Sequence, residues 1–280
     1  MTVSLLGATE IRRLAAELDV TPTKKLGQNF VVDANTVRKI VQAAGVRAGE
    51  RVVEIGPGLG SLTLAILETG ASVTAVEIDH RLAERLPRTA AERGVPEGAL
   101  TVVDADALRV TDLPGDPEVL VANLPYNVSV PVLLHFLETF PGLRRGVVMV
   151  QAEVAERLAA KPGSKTYGTP SVKAAWYGPW RLCGTVSRQV FWPVPNVDSL
   201  LVGFERDAEP RGSEEERRRT FEIVDAAFNQ RRKMLRQALS GLFGGSAAAS
   251  EVLERAGVAP TARGEDLTVE DYHRIALVEV

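Results

Sequence analysis

Short β-branched runs alternate with helix-length segments from about Asn35 to Phe204, and this alternation restricts the fold more than any other feature. An order of alternating strands and helices is typical of a parallel sheet with helices on both faces, an α/β fold. The pattern predicts strands at 51–55, 72–78, 100–103, 118–122, 146–151, 181–186 and 198–204, and helices at 61–69, 80–93 and 130–139. The last two strands follow each other closely, so we expect them to form an antiparallel edge.

The pattern changes after Phe204. Residues 205–213 are polar and include Pro210 and Gly212, which is typical of a linker. Beyond the linker, apolar spacing and glycine stops predict helices at 214–241, 246–256 and 268–277. We therefore predict an α/β domain at residues 1–204 and a small all-helical domain at residues 205–280.

The composition excludes several classes of protein. Hydrophobic residues make up 45% of the chain and charged residues 25%, which are ordinary values for a globular protein. One cysteine cannot form an intramolecular disulfide, and with only three histidines we predict no metal site. We find no apolar run of membrane-spanning length and no secretory leader, so we expect a cytoplasmic protein without a membrane partner.

A net charge of −3 conceals a strongly basic segment. Between Arg217 and Arg236 the chain holds seven cations and two acids, a local excess suited to phosphate contact. The alternative is an ordinary solvated helix face. Four candidate RNA-binding cations fall on neighbouring turns of one predicted helix: Arg231, Arg232, Lys233 and Arg236.

The first predicted strand leads directly into a glycine-rich turn, Gly56-Pro57-Gly58-Leu59-Gly60. Glycines at such a turn let the backbone approach a ligand, and the next helix presents free N–H groups. The spacing lacks the third glycine position of a dinucleotide fingerprint. Glu77 ends the second strand, where a carboxylate can accept both hydroxyls of a ribose. A nucleoside cofactor without a pyrophosphate fits best, and we predict S-adenosylmethionine.

Acidic and amide side chains also follow the next two strands. Asp104 and Asp106 come after the third strand, and either could bind the amino group of the cofactor adenine. Asn123 ends the fourth strand. Ligands of open α/β sheets bind outside the carboxyl ends of the strands, so we expect these side chains to meet Gly56 and Glu77 at one edge.

The tetrapeptide Asn123-Leu124-Pro125-Tyr126 predicts a stiff polar corner with an aromatic face. The Asn123 amide oxygen and the Leu124 carbonyl are hydrogen-bond acceptors, and Tyr126 offers a flat ring. Such corners occur in adenine-N6 and cytosine-N4 methyltransferases. The alternative interpretation is a turn in which Asn123 caps the following helix.

Seven sequence blocks together resemble the ribosomal RNA adenine N6-dimethyltransferases, and above all the bacterial small-subunit enzymes of that family. The resemblance extends over about residues 21 to 275. The blocks are residues 25–30 (KLGQNF), 53–60 (VEIGPGLG), 76–79 (VEID), 104–108 (DADAL), 123–127 (NLPYN), 191–199 (FWPVPNVDS) and 228–235 (FNQRRKML).

The resemblance implies a Rossmann-like, S-adenosylmethionine-dependent catalytic domain followed by a helical RNA-binding domain. It assigns Asp106, rather than Asp104, to the cofactor adenine. It also implies that Tyr126 stacks on the target adenine, with Phe191 as the candidate for the opposite face. The implied cofactor-binding residues are Asn29, Val31, Gly56, Gly58, Glu77, Asp106 and Asn123. The chain departs from the family at Asn196, where lysine is common, and at the bulkier Trp192.

The implied reaction moves methyl groups from S-adenosylmethionine to N6 of two adjacent adenosines. The implied substrate is a hairpin near the 3′ end of 16S rRNA, in a 30S or precursor particle during ribosome biogenesis, with the enzyme acting as a monomer. One alternative is a 23S rRNA methyltransferase that confers macrolide resistance, which Leu124 and the block at 228–235 disfavour. A non-catalytic ribosome-assembly factor is the other alternative. DNA adenine methyltransferases typically carry Asp where this chain has Asn123.

Overall fold

The computed structural model describes residues 3–20, 29–125 and 127–279, which form a seven-stranded sheet, a two-stranded sheet and a set of helices. The strands are β1 (Phe30–Val31), β2 (Arg51–Ile55), β3 (Ser72–Glu77), β4 (Leu100–Asp104), β5 (Val119–Asn123), β6 (Arg145–Gln151), β7 (Trp180–Val186), β8 (Phe191–Trp192) and β9 (Ser199–Glu205). The helices are α1 (Ala8–Glu17), α2 (Ala34–Ala44), α3 (Ser61–Glu68), α4 (His80–Glu92), α5 (Ser129–Thr139), α6 (Ala152–Leu158), α7 (Thr169–Ala175), α8 (Glu214–Asn229), α9 (Leu235–Ala238), α10 (Ser246–Arg255) and α11 (Val269–Ala276). No helix in these ranges is long and apolar enough to cross a membrane.

The strand order of the main sheet is β4-β3-β2-β5-β6-β9-β7. Strands β4, β3, β2, β5 and β6 all run parallel to one another, whereas β9 runs antiparallel to β6. The predicted α/β fold is therefore confirmed. The chain moves outward from β2 to β4 and then returns to place β5 on the other side of β2. Such a reversal opens a crevice at the carboxyl ends of β2 and β5.

The central strands are apolar along nearly their whole length. Val53, Leu120 and Val148 on β2, β5 and β6 are completely buried. Continuous burial is expected of parallel strands that are covered on both faces, where each large aliphatic side chain stabilises the fold by about 1.5–3 kcal/mol. The rigid sheet therefore fixes the positions of the residues at its carboxyl edge.

A second, two-stranded sheet pairs β1 with β8 in antiparallel register. Phe30 lies opposite Trp192 and Val31 opposite Phe191, and Val32 N–H donates to the Val190 carbonyl at 2.8 Å. The sequence pattern did not predict this sheet, because each strand has two residues and its partner is far away in the chain. The pairing fixes the segment that carries Asn29 and Val31.

The chain divides into two compact units. Unit 1 comprises residues 1–155 and 181–206, and unit 2 comprises residues 156–180 and 207–280. The predicted division at residues 204 and 205 is close to the second of these boundaries. The prediction is wrong for residues 156–180, which include α7 and belong to unit 2. They carry apolar residues that pack within that unit, such as Tyr167 against Phe228.

Unit 2 is helical, as predicted, but the predicted helix at 214–241 is wrong. Helix α8 ends at Asn229, and α9 starts only at Leu235. Between them the backbone takes partners from residues 260–263: Met234 forms an antiparallel bridge with Arg263, and Leu235 N–H donates to the Ala262 carbonyl at 2.8 Å. These backbone hydrogen bonds replace the ones that a continuous helix would make. The complete burial of Leu235 further stabilises this arrangement.

Candidate active site

The glycine turn after β2 has a backbone that other residues would not adopt easily. Gly56, Gly58 and Gly60 have φ values of +70°, +57° and +95°. A Cβ atom on Gly58 would lie 2.9 Å from Cε1 of Phe30, so the turn also lacks space for a side chain there. Because α3 starts at Ser61, directly after this turn, its first N–H groups are presented at the carboxyl edge of the sheet.

A cavity of about 260 Å³ opens at this edge, beside the glycine turn. Its lining draws on the carboxyl ends of β2, β3 and β5, the loop after β4, and the start of the two-stranded sheet. All seven predicted cofactor-binding residues line it: Asn29, Val31, Gly56, Gly58, Glu77, Asp106 and Asn123. The structure therefore brings together residues that lie as much as 94 positions apart in the chain.

Glu77 is held in the cavity wall by two backbone groups. Its side chain accepts hydrogen bonds from the N–H groups of Gly58 at 3.0 Å and Asp79 at 2.9 Å, one on each carboxyl oxygen. Burial raises the pKa of Glu77, while these hydrogen bonds act in the opposite direction. A carboxylate can accept about four hydrogen bonds, so Glu77 keeps capacity for a ligand hydroxyl.

The structure distinguishes between the two aspartates at the carboxyl end of β4, Asp104 and Asp106. Asp104 ends β4 opposite Glu77, where its side chain is hydrogen-bonded to Nδ1 of the exposed His80. Asp106 lines the cavity, and its Oδ1 accepts from Leu108 N–H at 2.9 Å. Asp106 is therefore the aspartate that is placed to meet a ligand.

Asn123 has a defined orientation at the end of β5. Its Nδ2 donates to the backbone carbonyl of Asn29 at 3.1 Å. A carbonyl can only accept, so the nitrogen end of the amide faces Asn29 and the oxygen end is the acceptor of this cavity-lining side chain. Leu124 follows with its N–H donating to the Met149 carbonyl at 3.1 Å, which ties the corner to β6. Pro125 also lines the cavity.

Comparison with known proteins identifies the family. The model of the family described as ribosomal RNA adenine dimethylase matches residues 21–278. The chain belongs to this family. Ribosomal RNA small subunit methyltransferase A of Leifsonia xyli subsp. xyli is 69% identical over 274 residues, which cover 97% of this chain and 98% of that protein. The protein of the same name from Streptomyces coelicolor is 59% identical over 276 residues, covering 98% and 96%.

Solved structures agree with this membership. The crystal structure of the 23S rRNA methyltransferase ErmE is similar with a TM-score of 0.66 and 27% identity, covering 88% of this chain and 98% of that one. A dimethyladenosine transferase from Plasmodium falciparum gives a TM-score of 0.74 at 23% identity, covering 87% and 94%. At that identity the second likeness concerns the fold alone.

The resemblance assigned stacking roles to two aromatic residues, Phe191 and Tyr126. Phe191 does not line the cavity; it is 2% exposed and packs in the apolar core that also contains Val31. Its ring is part of the core, and its stacking role stays a prediction. Tyr126 lies outside the described residues, and its stacking role stays a prediction.

Four of the cavity residues that were not predicted have side chains that bear on ligand binding in this dimethylase. Phe30 lines the cavity beside Gly58, and Ile78 and Leu108 line it with exposed apolar side chains. The fourth is Glu54, which is 1% exposed within β2. An acid inside an otherwise apolar strand, Val52-Val53-Glu54-Ile55, was the signal that could have identified it.

The predicted RNA-binding cations do not lie on one helix. Arg231, Arg232 and Lys233 lie in the turn between α8 and α9, and Arg236 lies within α9. The Arg231 guanidinium is bound to Glu265 at 2.8 Å and to the Lys165 carbonyl at 2.9 Å, which gives it a structural role within unit 2.

Arg232 and Lys233 are exposed. At the start of the basic segment, by contrast, Arg217 is 7% exposed and paired with Glu214. Arg218 and Arg219 on α8 are exposed as well, although Arg218 is paired with Glu214, so the turn carries part of the solvent-facing charge of the segment. Within the described ranges, no group of three or more His, Cys, Asp or Glu residues is arranged to hold a metal ion.

Proposed function

We propose that this dimethylase transfers methyl groups from S-adenosylmethionine to N6 of two adjacent adenosines near the 3′ end of 16S rRNA. The observation that carries this proposal is the fixed Asn123 amide, whose oxygen is an acceptor in the cavity wall. An exocyclic amino group is the complementary donor. Family membership narrows the amino-bearing group to adenine in ribosomal RNA.

We propose one direction for S-adenosylmethionine along the sheet. In the order β4-β3-β2-β5, Asp106 follows β4, Glu77 ends β3, the glycine turn follows β2 and Asn123 ends β5. Adenine at Asp106 and ribose at Glu77 leave the methionine part over the glycine turn, next to Asn123. Ile78 and Leu108 add apolar surface for the adenine ring. When bound, the cofactor supplies an electrophilic methyl group on a sulfonium.

Adenine N6 is a weak nucleophile because its lone pair is delocalised into the ring. In the proposed mechanism the Asn123 amide oxygen and the Leu124 carbonyl accept its two hydrogens, which favours a pyramidal nitrogen with a localised lone pair. Acceptors that bind the transition state more tightly than the ground state accelerate the reaction. Their fixed orientation also aligns the nitrogen with the methyl group. Monomethylated adenine keeps one hydrogen for the second transfer.

The proposed substrate is the small-subunit particle, 30S or its precursor, and we propose that the enzyme acts on it as a cytoplasmic monomer. Support comes from relatives that are named ribosomal RNA small subunit methyltransferase A and match this chain over nearly its whole length. Arg232 and Lys233 provide exposed positive charge for phosphate contact. The target adenosine must leave its stack to reach the cavity, as in other base-modifying enzymes.

Methyl transfer from tritiated S-adenosylmethionine tests the proposal. We expect small-subunit particles from a strain that lacks this methylation to incorporate label, and nucleoside analysis to yield N6-dimethyladenosine. Asn123→Ala should keep cofactor affinity within about tenfold and lower the transfer rate by about 100-fold or more, because the acceptor acts mainly in the transition state. Equal losses of affinity and rate would contradict the role of Asn123.

A second candidate is methylation of large-subunit RNA, favoured by the similarity to the 23S rRNA methyltransferase ErmE. The same assay with protein-free 23S rRNA separates the two activities. Label in 23S rRNA and none in small-subunit particles would replace the main proposal. No transfer to either substrate, with intact particle binding, would favour a non-catalytic assembly factor.

A further inference from the structure

Glu54 is a buried carboxyl group in the cavity wall that the proposed mechanism does not use. It lies on β2, two residues before the glycine turn, and is 1% exposed. The Thr63 hydroxyl of α3 donates to its Oε2 at 2.6 Å. Among the described residues Thr63 is its one hydrogen-bond donor, although a carboxylate can accept about four bonds. Glu54 therefore has capacity for a ligand donor.

The strand order determines which part of the cofactor Glu54 would meet. Asp106 and Glu77 belong to the outer strands β4 and β3, which leaves the methionine part over β2. That part ends in an ammonium and a carboxylate group. The first N–H groups of α3 suit the carboxylate, and a buried carboxyl group on the same strand suits the ammonium.

We propose that Glu54 is a positioning residue that binds the ammonium group of the cofactor and releases a proton to solvent when the cofactor enters. The proposal rests on the proposed function, because it takes S-adenosylmethionine as the ligand. In the empty cavity the Glu54 carboxyl group is neutral. On binding, its O–H bond breaks, the proton leaves to buffer, and the resulting carboxylate pairs with the ammonium.

The surroundings of Glu54 explain why it is neutral before binding. Burial raises its pKa to about 8, the Thr63 hydrogen bond lowers it, and the nearby Glu77 raises it further. Of the elements around it, α3 contributes the Thr63 hydroxyl, β3 contributes Glu77, and β5 carries no titratable side chain. Asp79 in turn raises the pKa of Glu77. A bound cation would lower the pKa of Glu54 and so favour its carboxylate form.

Calorimetric titration in buffers of different ionisation enthalpy measures the protons released per ligand bound. With S-adenosylhomocysteine, which keeps the ammonium group, we expect about 0.9 proton at pH 7 and about 0.5 at pH 8, from a pKa of about 8. 5′-Methylthioadenosine shares the adenosine but lacks the ammonium group, so we expect it to bind more weakly and without release.

Two variants test whether the proton released on binding comes from Glu54. Glu54→Gln keeps the shape and an acceptor for Thr63, and should bind S-adenosylhomocysteine with no proton release. Thr63→Val removes the donor that lowers the pKa of Glu54, so its release at pH 8 should exceed that of the wild type. If Glu54→Gln does not fold, the Thr63→Val comparison still decides.

Three results would overturn the proposal. The first is equal proton release with both ligands, which would assign the proton to the ribose-binding Glu77. The others are binding of S-adenosylhomocysteine without proton release, and unchanged proton release in either variant. Failure of the proposed function looks different. If only its substrate were wrong, both S-adenosylmethionine and S-adenosylhomocysteine would bind but small-subunit particles would take up no label, and if its cofactor were wrong, neither compound would give a binding signal.

Discussion

The two buried carboxyl groups of the cavity, Glu54 and Glu77, show how the local partners of a residue determine its role. Both lose hydration on burial, and burial raises the pKa of each. Glu77 receives two backbone N–H donors, which favour the carboxylate form that can accept ribose hydroxyls. Glu54 receives one hydroxyl group, and its pKa is raised to about 8, which favours the neutral form near pH 7. The two carboxyl groups are therefore buried to a similar degree but differ in the hydrogen bonds that oppose the rise in pKa.

The raised pKa of Glu54 predicts a specific dependence of stability on pH. Between pH 4.5 and about 8 the unfolded chain ionises this group while the folded chain keeps it neutral. The folded state then binds more protons, so the unfolding free energy contributed by Glu54 falls as the pH rises. We expect Glu54→Gln without cofactor to gain about 1–3 kcal/mol relative to wild type between pH 5 and pH 8. Urea unfolding at both pH values measures this gain, and parallel stabilities of the two proteins would contradict it.

Gly58 is the glycine whose replacement should damage the site most directly. Gly58→Ala combines a positive φ with a Cβ that would lie 2.9 Å from the Phe30 ring. Gly98→Ala is a matched control, since Gly98 has a φ of +81° but open space around it. Each variant should lose about 1–2 kcal/mol from the backbone conformation. Only Gly58→Ala should also weaken S-adenosylhomocysteine binding, by about tenfold or more, in a calorimetric titration. Equal binding by the two variants would refute the steric argument.

At the scale of elements, local patterns predicted the main sheet well. The seven predicted strands all occur, because continuous or alternating apolar runs and the glycines after them are local signals. Elements stabilised by distant partners were missed. Strand β1 forms because its two residues pair with Phe191 and Trp192. Helix α8 ends at Asn229 because the backbone after it bonds to residues 260–263. The burial of Phe191 was not predicted for the same reason, because burial on this strand is set by distant residues.

The two-stranded sheet leads to a prediction about Trp192. Its ring stacks on Phe30 with a centroid distance of 6.2 Å and an interplanar angle of 25°, and Phe30 lines the cavity. Trp192→Ala should remove about 0.5–1.5 kcal/mol of this contact and raise the KM for S-adenosylmethionine about 2- to 12-fold. Trp192→Phe keeps a ring and should recover most of the affinity. Val194→Ala, at a neighbouring side chain that is 62% exposed, serves as the control. A fall in kcat with constant KM would contradict a positioning role.

At the scale of the molecule, the sequence located most of the candidate site because its residues follow strand ends that the parallel sheet brings to one edge. Seven assigned residues line the cavity, and all of them belong to unit 1. The four cations assigned to RNA belong to unit 2. Sequence alone could not show which cations are exposed, since partners such as Glu265 for Arg231 come from other parts of the chain. We therefore expect RNA affinity and cofactor affinity to respond to different substitutions.

Removal of the exposed charge at the turn tests this separation. The double variant Arg232→Gln/Lys233→Gln should weaken binding to small-subunit particles and reduce the slope of log affinity against log salt by about one per lost phosphate contact. S-adenosylhomocysteine affinity should stay unchanged. Lys161→Gln/Arg218→Gln removes the same charge from other exposed positions of unit 2 and serves as the matched control. Equal losses in the two double variants would mean that net charge, rather than this turn, determines RNA affinity.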